Sequence, residues 1–430
     1  MTPTLAPPPG SRSPGTSTPP STDSSSRDSP LTILLVHNFY QKPGGEDGVF
    51  EREGAILEDQ GHRVLRYTLH NDDVEDVGKL TLLQRAFWSK ESYREVRSIV
   101  EDEGVDVVHV HNTLPLASPS VFHAAHDGGA ATVHTLHNYR LVCPGNLLFR
   151  DGKPCTDCVG KSFAVPGIRH ACYRGSHAET AVLAGTVAFH RRIGTWEKTV
   201  DRYIALSEFG RRTFIEGGIP PGRIAVKHNM PGRVSGPGAG GDFVLFAGRL
   251  AKSKGIGVLL RAWASDETLP PLRICGDGPL ADQVADATRK DDRIDWLGWQ
   301  SGDDVDRLMG EAAALIVPSK WYEGWPLVIV EAMGRGTPVI ATDHGVFPEM
   351  IDDGETGQLF ELANPDALAA AVHDVCDDPV HLRAMRDATW ATFERRYARE
   401  VNYRQLRQIY ADAIAQAASS RSARRARAAG

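Results

Sequence analysis

The chain has 430 residues, room for two or three domains at about 150 residues each. Hydrophobic residues make up 41% and charged residues 24%, which excludes a chain disordered or fibrous throughout, and a net charge of -7 offers no basic field for nucleic acid. Six cysteines are too few for a disulfide scaffold and no segment has the pattern of a secretory signal, so a reducing cytoplasm is the expected compartment.

Residues 1–30 are almost entirely Pro, Ser, Thr and Gly, too poor in large apolar side chains to offset the entropy of ordering, and read as a disordered leader. A β-branched run at 32–37 and a helix-period segment at 47–60 then open an alternation of strand and helix. Further strands are predicted at 64–67, 106–110, 131–135 and 203–206, so residues 31–230 read as a doubly wound parallel sheet of the α/β class. Residues 231–241, with Pro231, Pro237 and several glycines, have no periodicity and read as a linker. A second series fills residues 242–398, with strands predicted at 243–247, 272–275, 293–296, 314–317 and 339–342. A helix over 399–418 carries Leu406, Ile409, Tyr410 and Ile414 on one stripe, which must pack on one of the two domains. Residues 419–430, with Arg421, Arg424, Arg425 and Arg427 among small residues, read as a basic tail, either solvated or close to anionic lipid headgroups. The longest apolar stretch, 181–189, is far short of the roughly 20 residues a membrane helix needs.

Two such sheets facing each other leave a cleft, and ligands in these folds bind beyond the carboxyl ends of the strands. The loop Gly248-Arg249-Leu250-Ala251-Lys252-Ser253-Lys254-Gly255 combines close backbone approach with cations at short spacing, which suits a diphosphate. Gly276-Asp277-Gly278-Pro279 is a tight turn that opens the next helix. In the segment from Glu323 to Glu331, Pro326 fits the first helical position. The free N–H groups that follow, at Leu327 and Val328, form an anion site with the helix dipole. Glu323, before Gly324, and Glu331, inside the helix, then flank one phosphate site as acceptors for sugar hydroxyls.

These three segments, with E-x7-E from Glu323 to Glu331, occur in the order and spacing of glycosyltransferase family 4, which residues 31–418 resemble. The stretch Ala341 to Gly357 resembles it too, with Val346 where the family usually has a second glycine. The resemblance implies a GT-B fold, two Rossmann-like domains facing across a cleft with the donor held mainly by the second. It also implies a retaining, metal-independent transfer. By position, Arg249 and Lys254 would neutralise the diphosphate leaving group, Glu323 would bind the donor sugar, Glu331 the ribose and Gly276 the donor backbone. Gly44 and Gly45 resemble the glycine loop that meets the phosphates from the other side, and His137 matches the active-site histidine near the transferred sugar. Retention is described for the family as front-face attack in which the leaving phosphate takes the acceptor proton, with Glu323 as a covalent nucleophile the alternative. His109 and His111 flank the end of another strand and are read as acceptor-side wall residues.

The expected partners are a nucleotide-diphosphate sugar and a glycan or lipid-linked acceptor of polysaccharide or cell-envelope synthesis, with no nucleic acid. Peripheral contact with the inner face of the plasma membrane follows from the acceptor class and the basic end. A sugar-nucleotide epimerase on the same fold, or a non-catalytic nucleotide-binding scaffold, are the other readings. No cofactor is expected for catalysis. Cys143, Cys155, Cys158 and Cys172 fall in a loop-rich segment, 143–172, directly after His137. They are read as a structural zinc site, an iron–sulfur or redox cluster, or free thiols, with His170 able to replace Cys172. Cys275 and Cys376 are expected to be buried in a strand and a helix.

Overall fold

Two parallel six-stranded sheets, one in each half of the chain, form the frame. The computed structural model describes residues 29–41, 44–74, 77–232 and 234–429. Of the expected leader, residues 1–28 lie outside the described residues.

The first half contributes β1 (Thr32–Phe39), β2 (Arg63–His70), β3 (Val107–Val110) and β4 (Ala131–Leu136). A short hairpin of β5 (Phe149–Arg150) and β6 (Lys153–Pro154) follows, then β7 (Arg202–Ala205) and β8 (Ile224–Val226). The sheet order is β2-β1-β3-β4-β7-β8, every neighbour parallel. β1 is apolar on both faces because both are covered. Leu34 and Val36 pack with Val96, Val121 and Phe122, whereas Ile33 and Leu35 point the other way, onto Phe50, Leu406 and Tyr410. The last two belong to the C-terminal helix, which returns from the far end of the chain to close the first sheet. Burying Leu406, Ile409 and Tyr410 there stabilises the return by roughly 1.5–3 kcal/mol per large side chain.

The second half contains β9 (Val244–Ala247), β10 (Leu272–Cys275), β11 (Ile294–Gly298), β12 (Ala314–Val317), β13 (Val339–Thr342) and β14 (Gly357–Phe360). Its order, β11-β10-β9-β12-β13-β14, reverses between β9 and β12. The edge strands β8 and β14 are additions to the predicted set. One is a three-residue Ile-Ala-Val and the other begins on a glycine, so neither carries a legible strand pattern.

One expectation at the C-terminus is corrected. The last helix runs Arg399–Ala429, so the basic residues read as a tail over 419–430 lie on its final turns, where the Arg421 guanidinium donates to the Gly129 carbonyl. Small, helix-favouring Ala and Arg residues carry the helix on past 418. Residues 231–241, read as a linker, are tied by backbone bonds to the second half: Gly238 N–H donates to Arg335 O and Gly240 N–H to Gly310 O. The halves are also stitched directly, because the Glu349 carboxylate accepts the backbone N–H groups of Glu208 and Phe209 at the start of the Glu208–Glu216 helix. Among the described residues no helix is long and apolar enough to cross a membrane.

Candidate functional site

The crevice outside a parallel sheet opens where strand order reverses. In the second half that point lies between β9 and β12, and the loops after these strands are the two richest in motif residues. Gly276 shows how tightly they nest: with φ +133°, it sits so close to the preceding turn that a Cβ would lie 2.0 Å from Gly248 O. Only glycine fits there. Lys254, from the β9 loop, donates to Glu323 Oε1 at 2.6 Å, and its ammonium stands 5.4 Å from the centre of the Trp321 ring. Ser319 Oγ and Trp321 Nε1 also donate to Oε1, at 2.7 and 2.9 Å, leaving Glu323 Oε2 without a protein donor among the described residues. Arg249 is exposed, and its guanidinium has no partner among the described residues.

Past Glu323 the chain turns into the helix Leu327–Gly334. Pro326 is its N-cap in extended backbone (φ -72°, ψ 102°), one place earlier than predicted, and Leu327 is the first helical residue. Ile329 N–H bonds back to Pro326 O, so the N–H groups of Leu327 and Val328 remain free. The helix Gly45–Asp59 of the first half points its own start at this one: a Cβ on Gly45 would stand 3.7 Å from Leu327 Cδ1. Two positive helix ends thus converge on one gap. The acids in the first turn of the Gly45 helix are engaged within the first half. Asp47 is taken up by His37 Nε2 at 2.7 Å and by the Gly44 N–H, and burial pushes the Glu46 carboxyl up, opposed by Tyr40 and Arg140.

Glu331 lies deeper on the Leu327 helix. Burial raises its carboxyl above the usual range, opposed by the Gly232 N–H and the Arg52 guanidinium. Arg52 comes from the first half and anchors its Nε on Met230 O at 3.2 Å. Sequence reasoning missed Arg52, which sits on the Gly45 helix in no motif.

On the opposite wall, the loops after β3 and β4 bring up histidines. His137 Nε2 lies 2.9 Å from His111 Nδ1, the two rings stacked at 5.1 Å. His111 Nε2 faces the Glu53 carboxylate, whose other oxygen accepts from the buried Lys227 at 2.5 Å. One ring donates its N–H to the other across the contact between Nδ1 and Nε2, and neither His111 Nε2 nor His137 Nδ1 has a hydrogen-bond partner among the described residues. Burial first, then the neighbouring imidazoles and Lys227, hold His137 far below the ordinary histidine range, so it is neutral. His109 is not a wall residue. It is fully buried beneath the C-terminal helix, bonded to Tyr410 and Thr135, because that helix covers its face of the sheet. Among the described residues Glu53, His109 and His111 are the one trio whose ligand atoms lie within 4.8 Å of one another. Lys227 already neutralises that carboxylate and would repel a second cation.

The two walls touch. A Cβ on Gly324 would stand 3.1 Å from His137 O, and the Tyr139 hydroxyl donates to Glu323 O at 3.3 Å. A cleft of about 500 Å³ beside them is lined by His111, Asn112, His134, His137, Arg140 and Trp196.

Two family models match the chain in succession: a glycosyl transferase 4-like domain over residues 44–230 and the glycosyl transferases group 1 over residues 233–390. The chain belongs to this glycosyltransferase family.

The glycosyltransferase is 22% identical over 388 residues to an uncharacterized glycosyltransferase of Methanocaldococcus jannaschii, covering 88% of this chain and 98% of that one. It is 32% identical over 228 residues to the phosphatidyl-myo-inositol mannosyltransferase of Mycobacterium tuberculosis, half of this chain and 60% of that protein. Anabaena HepE in complex with UDP superposes with a TM-score of 0.60 at 18% identity, covering 88% of this chain and 99% of that one. Sucrose-phosphate synthase from Thermosynechococcus elongatus superposes at 0.62 and 17% identity over 90% and 99%. The fold is GT-B.

In this glycosyltransferase Val346, at the family's glycine position, is buried in right-handed helical backbone (φ -85°, ψ -19°), which a β-branched residue adopts without strain. Cys275 is buried as expected, but Cys376 is only half-buried at the end of its helix. None of the four clustered cysteines is in a disulfide. No three of their sulfurs meet the 4.8 Å spacing that the Glu53 trio meets, and His170 is exposed.

Proposed function

We propose that this glycosyltransferase moves a sugar, with retention, from a nucleoside-diphosphate sugar to a hydroxyl of a glycan or lipid-linked acceptor. The observation that carries this reading is the Lys254–Glu323 pair at the strand-order reversal, set against His137 through Gly324. The diphosphate lies between the starts of the Gly45 and Leu327 helices, where N–H groups and dipoles oppose its charge, and Lys254 and Arg249 meet the charge that grows as the glycosidic bond breaks. Those groups supply the positive charge that a divalent ion supplies elsewhere. Glu323 Oε2 takes a donor-sugar hydroxyl, and Glu331 takes the ribose. Three donors on Oε1 make Glu323 a poor nucleophile, which favours front-face attack with the leaving phosphate as proton acceptor. Neutral His137 stands beside the transferred sugar as an uncharged hydrogen-bonding ring. A nucleoside-diphosphate donor is supported by the UDP bound to HepE, and a lipid-linked acceptor of the cell envelope by the name of the mycobacterial mannosyltransferase. Such an acceptor places the enzyme at the inner face of the plasma membrane.

The test is incubation of the full chain with a panel of nucleotide sugars and acceptor glycans, with and without EDTA, following nucleotide release and the anomeric configuration of the product by NMR. Transfer with retained configuration, undiminished by EDTA, is expected. Epimer formation without acceptor would replace this reading with an epimerase, and nucleotide binding without turnover would replace it with a scaffold.

A further inference from the structure

The segment between His137 and the long helix His177–Arg192 has almost no regular structure of its own. It holds two two-residue strands and one five-residue helix. Yet its backbone is held in costly conformations. Asn146, Leu148, Asp151, Ala171 and Arg174 all have positive φ, five of the seven non-glycine residues so found among those described. Each costs on the order of 1–3 kcal/mol and persists only where its surroundings over-determine it. Val142, Leu148 and Val159 reach the main core, while Phe163 and Val165 are exposed.

What this backbone does is hold the four cysteines together. Asn146 N–H donates to the Cys143 carbonyl at 2.9 Å, Leu148 takes the Cys155 N–H on its carbonyl at 2.8 Å, and Gly167 takes the Cys172 N–H at 3.1 Å. The turn from Cys143 to Leu148 thus joins 143 with 155. Gly167, where a Cβ would stand 3.3 Å from Cys158 Sγ, joins 158 with 172. The pairs are pressed against each other. A Cβ on Gly145 would stand 3.0 Å from Cys172 O, and one on Gly167 3.1 Å from the Pro144 ring.

We propose that Cys143, Cys155, Cys158 and Cys172 bind one structural zinc ion as a tetrathiolate. Four sulfurs and no open position make this a closed site, without a catalytic water. Binding releases the thiol protons to solvent and draws the sulfurs to about 2.3 Å from the ion. The ion gives the segment a fixed centre and holds what it carries into the cleft. Tyr139 O accepts the N–H groups of Val142 and Cys143, Tyr139 N–H donates to Asn146 O, and its hydroxyl reaches Glu323 O. The site thus rivets the strap between the acceptor side and the donor loop. It stands on the cysteine geometry alone, whichever sugar is transferred.

Elemental analysis of the full chain, purified without added metal, should give about one zinc per chain. Cys155→Ser with Cys158→Ser should lose it and lower Tm, while Cys376→Ser should keep it. Should the double variant fail to fold, wild-type protein still decides. Its four thiols should resist a thiol reagent until zinc is chelated, and cobalt exchange should produce thiolate-to-metal charge-transfer absorption. Zinc below stoichiometry with four freely reacting thiols, disulfides in their place, or iron with sulfide would each overturn the assignment.

Discussion

Lys254 Nζ donates at 2.6 Å to Glu323 Oε1, the oxygen that Ser319 and Trp321 also serve, so one carboxylate oxygen gathers three donors and fixes the lysine beside it. Lys254→Ala should lower kcat about 10²–10³-fold, the usual loss on removing one donor to developing charge. The pair is partly open to solvent, so stability should change by about 1 kcal/mol or less. Steady-state kinetics beside urea unfolding checks both; a variant that keeps full kcat would remove Lys254 from the leaving-group site.

Glu331 should act on binding more than on chemistry, because it faces Gly232 and Arg52, away from the Lys254 group. Glu331→Ala should weaken nucleotide affinity by roughly 10- to 100-fold, the worth of a hydrogen bond to a charged group. Calorimetry with the free nucleoside diphosphate measures it, and unchanged affinity would refute the ribose assignment.

Gly324 keeps the halves in contact, with room for a Cβ only 3.1 Å from His137 O. Alanine there should force the walls apart by a few tenths of an ångström and cost about tenfold in kcat/KM, valine more, with secondary structure intact by circular dichroism. Wild-type rates in the valine variant would show that the contact does not matter to catalysis.

Lys227 and Glu53 form an ion pair in which both side chains are buried. Removing one partner strands a charge, so Lys227→Met or Glu53→Leu alone should cost about 3–5 kcal/mol, and the double variant much less than their sum. A double-mutant cycle in urea tests this, and simple additivity would contradict it.

Stability should fall in mild acid. Burial holds His109 and His190 down to about 4, against about 6.5 in the unfolded chain. Between those values the unfolded state binds more protons. Stability is therefore complete above pH 6.5 and is lost as pH falls toward 4, by roughly 3 kcal/mol for each group. Unfolding at pH 7.5, 6 and 5 measures the slope, which His190→Gln should flatten. A pH-independent midpoint would show that these rings are not buried neutral.

The sequence by itself determined the two sheets and the loops after their strands. Continuous β-branched runs have one stable solution, a sheet covered on both faces, and motif spacing fixes which loop follows which strand. The Lys254 loop and the Glu323 loop are adjacent because β9 and β12 are neighbours, and that adjacency can be anticipated from the doubly wound class. The tertiary structure decided everything that joins residues distant in sequence. Leu406 and Tyr410 announced a helix with an apolar stripe, but only the bare face left by Ile33, Leu35 and Phe50 decided where it goes, and its return is what buries His109. Arg52, Glu53 and Lys227 belong to no motif. They matter because the Gly45 helix lies between β1 and the cleft, where the low dielectric makes each buried charge depend on its partner.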